Sequence, residues 1–214
     1  MSREKLTEIY NRLFDYFGPQ SWWPGDTPFE IMVGAVLTQN TNWNNVEKAI
    51  INLKGVELLS FERLFELPVD LLAEYIRPVG YFNIKANRLQ NLFALIKEQY
   101  DGSLAAMMEE ETETLRHSLL SVKGIGPETA DSILLYAAER PVFVVDAYTY
   151  RILLRHNLIP DDFNYDEIQE FFMDNLEQNA GLFNEFHALL VCVGKEFCKK
   201  SVPRCKGCPL EEGV

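Results

Sequence analysis

Residues 119–131 read Leu-Leu-Ser-Val-Lys-Gly-Ile-Gly-Pro-Glu-Thr-Ala-Asp, two helical stretches joined at Gly124-Ile125-Gly126. Glycines on either side of Ile125 allow a sharp turn with exposed backbone N–H groups. Those groups, together with the start of the helix that follows, make an anion site suited to one DNA phosphate. A lone G-x-G reads more often as a plain helix connection. Here the apolar positions on both sides and Lys123 beside the turn favour the anion site.

Working outward, the periodicity is helical nearly everywhere. Leu6, Ile9, Tyr10, Leu13, Phe14 and Phe17 form an apolar stripe that Gly18-Pro19 stops. Asp26-Thr27-Pro28-Phe29-Glu30 reads as a helix start, with Thr27 as N-cap, Pro28 at the first helical position and Glu30 closing a capping box. Residues 31–38 are apolar nearly all round and therefore predict a buried helix. A further stripe, Val46, Ala49, Ile50 and Leu53, ends at Gly55. The spacing predicts other helices over 60–67, 70–76, 83–99, 112–120, 128–139, 147–156, 165–177 and 181–195. The one β-branched run, Val142 to Val145, is too isolated to build a sheet, so the fold class is all-α.

The chain has 214 residues, 47% hydrophobic and 24% charged, which excludes disorder and gives ample material for a core. No apolar run approaches the ~20 residues of a bilayer span. The N-terminus opens with charges rather than an apolar leader, so a cytoplasmic protein is expected. The net charge of −12 argues against nucleic acid on its face. Its distribution argues otherwise, because residues 192–208 hold Lys195, Lys199, Lys200, Arg204 and Lys206 against Glu196 alone. All four cysteines, Cys192, Cys198, Cys205 and Cys208, also fall in the last 23 residues. In a cytosolic chain such clustering points to metal or an iron-sulfur cluster rather than disulfides.

The run Leu119-x-x-Val-Lys-Gly-Ile-Gly-Pro-Glu-Thr-Ala130, followed by Val144-Val145-Asp146, resembles the helix-hairpin-helix DNA glycosylases of the endonuclease III superfamily. Val36 to Thr41, Gly80 to Ala86 and His187 to Cys208 extend the resemblance over nearly the whole chain. It implies a two-lobed helical fold, with residues 22–137 carrying the hairpin and residues 1–21 plus 138–214 forming the second lobe. It also implies a monomer acting on damaged double-stranded DNA.

Placed between the apolar run and a helix, Asp146 reads by position as a plain N-cap. The resemblance gives it the catalytic role, a carboxylate that stabilises the sugar cation as the glycosidic bond breaks and positions water, as an oxocarbenium-like transition state requires. Strand-cleaving relatives carry a nucleophilic lysine where this chain has Glu128, which cannot form an imine. Lys123 could substitute, but belongs to the turn and more naturally faces phosphate.

Glu128 with Trp22-Trp23-Pro24 and Trp43 resembles the bacterial 3-methyladenine DNA glycosylase branch, which implies an aromatic pocket for alkylated purines. Such bases are cationic and gain ~0.5–2 kcal/mol on an aromatic face. By the same resemblance Gln39 and Tyr81 insert into the duplex as the base flips out. Read without it, all three tryptophans could be core.

Cys198-x6-Cys205-x2-Cys208 matches three of the four ligands of the family's 4Fe-4S loop. The fourth place, six residues beyond Cys208, falls on Val214, and Cys192 offers a replacement unless it is core. Zinc on four cysteines, or three thiolates with another ligand, are the other arrangements. The family's loop meets the DNA backbone, a task that Lys199, Lys200, Arg204, and also Lys206, match by charge. Two rival functions stay open: a glycosylase for oxidised or deaminated pyrimidines, and a non-catalytic hairpin protein that only binds DNA.

Overall fold

The computed structural model describes residues 3–23 and 25–211. Among them the chain is helical and contains no strand. It forms two compact units, Met1–Trp23 with Glu139–Val214, and Pro24–Ala138. The breaks lie after Trp23 and Ala138, so Trp22 and Trp23 join the first unit rather than the hairpin unit. Their loop is tied there by Gln20, whose backbone N–H donates to Glu185 at 2.7 Å.

The second unit contains α2 (Pro28–Thr38), α3 (Trp43–Gly55), α4 (Phe61–Glu66), α5 (Val69–Tyr75), a 3₁₀ turn at Arg77–Val79, α6 (Phe82–Tyr100), α7 (Leu104–Glu109), α8 (Thr112–Ser121) and α9 (Pro127–Ser132). A π-helical turn, Ile133–Ala137, continues α9. Helix α2 is buried along most of its length and packs on α3, α6 and the π turn, as its all-round apolar sequence predicts. Phe29, Phe61 and Phe93 interlock beside it. Helix α7 was not legible in the sequence, because its six residues bury only Met107 and make no periodic stripe.

Thr27 caps α2, its hydroxyl accepting from the Glu30 N–H at 3.2 Å. The expected capping box does not close. Instead the Glu30 carboxylate accepts from the Asp26 N–H and pairs with Lys54 Nζ at 2.8 Å. A salt bridge to a neighbouring helix thus replaces the local return bond.

The first unit contains α1 (Arg3–Phe17), α10 (Ala147–Arg155), α11 (Tyr165–Asn175) and α12 (Ala180–Glu196). The apolar stripe of α1 buries Leu6, Ile9 and Leu13 against α12 and α11. The run Val142 to Val145 forms no strand but an extended buried segment, in which Phe143 stacks on Phe172 at 3.8 Å and meets Phe183 and Phe186 edge-on. This segment delivers Asp146 to the start of α10.

Helices α10 and α12 approach closely where Gly194 faces Tyr148. A Cβ on Gly194 would lie 2.9 Å from Cβ and Cγ of Tyr148. Gly194→Ala is therefore expected to destabilise the protein by about 1–3 kcal/mol, the usual cost of overpacking. Denaturant unfolding measures this, and a variant within about 0.5 kcal/mol of wild type would show that the two helices separate without cost.

Candidate functional site

Asp146 is the N-cap of α10. Its Oδ1 accepts from the Thr149 N–H at 2.7 Å and from the Thr149 hydroxyl at 2.9 Å. Its Oδ2 lies 3.7 Å from Nε2 of His187, which projects from α12. The helix cap and the contact with His187 thus fall on different oxygens of one carboxylate. Only 12% of the Asp146 side chain is exposed. Burial pushes its pKa up, but His187 and the Thr149 donors outweigh that and leave it below the usual carboxylate value. The arrangement keeps a fixed anion in a largely dehydrated place.

His187 carried no assigned role in the sequence. The signal for it was faint: one titratable residue on an otherwise apolar stretch of α12, where it is buried. Near its other end, α12 places Lys195 Nζ 5.4 Å from the centre of the Trp22 ring. Trp22 and Trp23 meet edge-on with centroids 6.1 Å apart, and both are half-buried. Pro24 lies outside the described residues.

In the second unit the hairpin is built around Gly124, whose φ of +99° favours glycine. A Cβ there would also sit 2.5 Å from Cγ of Arg88. Gly126, by contrast, has φ of −102° as the N-cap of α9, so it is not needed for backbone strain. The hairpin is braced by Arg116, which makes a two-pronged bond at 2.7 and 3.1 Å to the fully buried carboxylate of Asp131. Lys123 and Glu128 are exposed beside the turn. Trp43 is half-buried at the start of α3, behind the Asn42 cap.

Tyr81 stands out at 68% exposed, on a left-handed backbone with φ of +48° just before α6. Gln39, which the resemblance sends into the duplex, is hydrogen-bonded at both ends of its amide in the absence of DNA. Its Nε2 donates to Gly124 O at 3.0 Å and to the Thr129 hydroxyl at 2.9 Å, while its Oε1 accepts from Arg88 at 2.6 Å. These bonds join the side chain to the hairpin and to α6. Lys85 is a second residue the sequence did not single out. Its fully buried ammonium donates to Leu37 O at 2.8 Å and Val79 O at 3.2 Å. Burial, with Arg88 nearby, lowers its pKa to about 8.

In the tail, burial raises the Cys208 thiol pKa, and Cys205 and Cys198 push in the same direction. Cys192 is elsewhere engaged, its thiol donating to Gln20 Oε1 at 3.1 Å, with Lys195, Glu185 and Glu196 as its charged neighbours. Among the described residues no group of three or more His, Cys, Asp or Glu side chains is arranged to hold a metal ion. Val214 lies outside them. Cys198 and Cys205 lie near enough to Cys208 to act on it, whereas Cys192 is turned to Gln20.

Two arginines of α10 hold the loop from its carbonyl side. Arg151 Nε donates to Cys198 O at 2.7 Å, and Arg155 donates to Lys199 O at 2.6 Å and Lys200 O at 3.0 Å. Lys200 and Arg204 stay exposed, whereas the Lys199 ammonium turns back to Lys195 O.

A model of the HhH-GPD superfamily of base excision DNA repair proteins matches residues 33–178. A Methanocaldococcus jannaschii protein provisionally named a DNA repair glycosylase is 47% identical over 210 residues, covering 98% of this chain and 95% of that protein. The solved H. pylori 3-methyladenine DNA glycosylase, bound to 1,N6-ethenoadenine, is 31% identical, with 92% of this chain and 98% of that one covered and a TM-score of 0.75. A non-covalent endonuclease III–DNA complex is 22% identical with a TM-score of 0.82, covering 98% of this chain and 94% of that one, which shows the same fold. No helix among the described residues is long and apolar enough to cross a membrane.

Asp146→Asn isolates the charge, since asparagine caps a helix as well as aspartate. A depressed folded-state pKa means that the carboxylate stabilises the fold above its unfolded value of about 3.9. That contribution is lost as pH falls through the lower folded value. Wild type should therefore exceed the variant in stability near neutrality, and the gap should close below about pH 4. Denaturant midpoints across this range test it, and a gap that widens in acid would refute the pairing.

Proposed function

The chain belongs to the HhH-GPD superfamily of base excision DNA repair proteins, and we propose that it is a DNA glycosylase that hydrolyses the N-glycosidic bond of an alkylated purine. The observation that carries this reading is the Asp146 carboxylate, kept ionised by His187 and Thr149 while largely buried. When the bond between sugar C1′ and base nitrogen breaks, its electron pair leaves with the base and positive charge grows on the sugar. A fixed anion in a poorly hydrated place stabilises that charge without reorganising. Asp146 also orients a water molecule, whose oxygen bonds C1′ while its proton passes to the carboxylate.

Alkylpurine specificity is supported by the aromatic residues and by likeness to the H. pylori enzyme, whose structure holds 1,N6-ethenoadenine. A cationic purine such as 3-methyladenine departs as a neutral base, so it needs no general acid. The faces of Trp22, Trp23 and Trp43 suit such a base by stacking and cation–π attraction. Tyr81, exposed and held on a left-handed backbone, is the side chain suited to fill the gap left in the duplex. The hairpin at Lys123, Gly124 and Gly126, with Lys199, Lys200 and Arg204 in the tail, meets phosphates of the DNA backbone. Glu128 stands where a Schiff-base lysine would act, so the product keeps an intact abasic strand.

A panel of duplexes, each with one defined lesion, tests the reading. Wild type should release 3-methyladenine or a related alkylpurine, and Asp146→Asn should lose about 10²-fold or more in single-turnover rate. DNA affinity should barely change in that variant. Release of oxidised pyrimidines alone would replace the proposed substrate, and no release from any duplex would leave a DNA-binding protein only. Borohydride trapping of a covalent adduct would reveal a lyase nucleophile, with Lys123 the first to mutate.

A further inference from the structure

We propose that Gln20, clamped between Glu185 and Cys192 of α12, is a positioning residue that fixes the Trp22–Trp23 loop and so sets how sharply that loop discriminates among leaving bases. The loop and α12 belong to one compact unit. Glu185 and Cys192 stand about two helical turns apart and so share one side of α12. His187 and Gly194, at the same spacing, share another side, which faces Asp146 and Tyr148 at the start of α10. One helix therefore carries the partner of the carboxylate and the anchors of the aromatic loop.

Gln20 is held through its backbone N–H and through both ends of its side-chain amide. The N–H donates to Glu185 Oε1 at 2.7 Å, and the side-chain Oε1 accepts from the Cys192 thiol at 3.1 Å. Its Nε2 donates to Phe17 O at 3.1 Å and Gly18 O at 2.9 Å, at the end of α1, where helix carbonyls lack internal partners. A single residue thus joins the end of α1, the side of α12 and the start of the loop. Lys195, on the same side of α12 and just beyond Cys192, adds the contact with the Trp22 ring.

The backbone between clamp and loop needs such support. Ser21 has a φ of +50°, a left-handed conformation that a residue with a Cβ adopts only when its surroundings impose it. Its own side chain is exposed and cannot impose it. The bonds on Gln20, one residue before, can. They also explain a thiol at position 192, which is only half-buried: an apolar residue there would withdraw the donor that α12 offers to Gln20 Oε1.

The inference deepens the glycosylase reading and rests on it for the identity of the ring that the tryptophans meet. Stacking depends on ring offset and separation, so a loop that drifts loses its preference for one base shape over another. Asp146 is held by separate bonds to Thr149 and by His187, and keeps its place when the clamp opens. Loosening the clamp therefore flattens discrimination among bases without removing the carboxylate.

The test uses the full chain, and its first measurement needs no DNA. In a Trp43→Phe background Trp22 and Trp23 are the two tryptophans left, so acrylamide quenching of fluorescence reads their loop alone. Gln20→Leu and Glu185→Ala should each raise the quenching constant about twofold, as a locally opened loop requires. Glu185→Gln, which keeps the acceptor, and Cys192→Ser, which keeps the donor, should match the background, whereas Cys192→Ala should quench as Gln20→Leu does. Should Gln20→Leu fold poorly, Glu185→Ala breaks the same clamp from a half-buried position and decides the outcome. The second measurement, with Trp43 restored, compares kcat/KM on duplexes bearing 3-methyladenine or 1,N6-ethenoadenine. Whichever base wild type prefers, the ratio should move toward unity by about threefold in the variants that break the clamp, the effect of one ordinary hydrogen bond. General destabilisation would instead slow both substrates in proportion. Unchanged quenching in Gln20→Leu and Glu185→Ala, equal behaviour of Cys192→Ser and Cys192→Ala, or an unaltered ratio between two measurable rates would overturn the proposal. Absence of base release from every lesion, with the quenching pattern intact, would remove the glycosylase reading and leave the clamp.

Discussion

The carboxylate of Asp146 serves two partners at once, and the first unit is organised around that division. One oxygen satisfies the first turn of α10 through Thr149. The other faces His187. A charge that only capped a helix would sit comfortably in water. Here the capped end is buried, so the anion persists because a cation-capable ring and two donors surround it.

From that cap, α10 transmits position to the tail. Its first turns pack Tyr148 against Gly194, fixing where α12 carries His187. Its last turn sends Arg155, and one turn earlier Arg151, to the carbonyls of residues 198–200. These charge-assisted bonds are strong and directional. A nine-residue helix thus links the carboxylate at one end to the basic loop at the other.

The second unit solves a different problem, which is to hold exposed turns still. Tyr81, Asn40 and Gly124 all sit on left-handed backbone, and two of the three are not glycine. Such conformations cost of order 1 kcal/mol or more for ordinary residues. They persist because α6 and the Arg116–Asp131 pair supply partners on the buried side. Rigidity of this kind suits a surface that must meet a stiff double helix without ordering itself first.

Much of this was legible in the residues alone. Helical period and glycine punctuation marked nearly every helix, and the Gly-Ile-Gly turn with the aspartate after Val142 to Val145 marked both candidate sites. Local chemistry suffices there, since caps, turns and apolar stripes involve neighbours within a few residues. The partners were not legible. His187 reads as one polar residue on an apolar helix, Gln39 as an amide that the resemblance sends into the duplex, Cys192 as a replacement ligand unless it is core, and Lys85 is not singled out. What each does depends on which oxygen another element brings within about 3 Å. Sequence determined the helices and the residue types available to the chemistry. Tertiary structure decided which of them meet, because hydrogen bonds and ion pairs act over ångströms of space and helix crossings set those distances independently of separation along the chain.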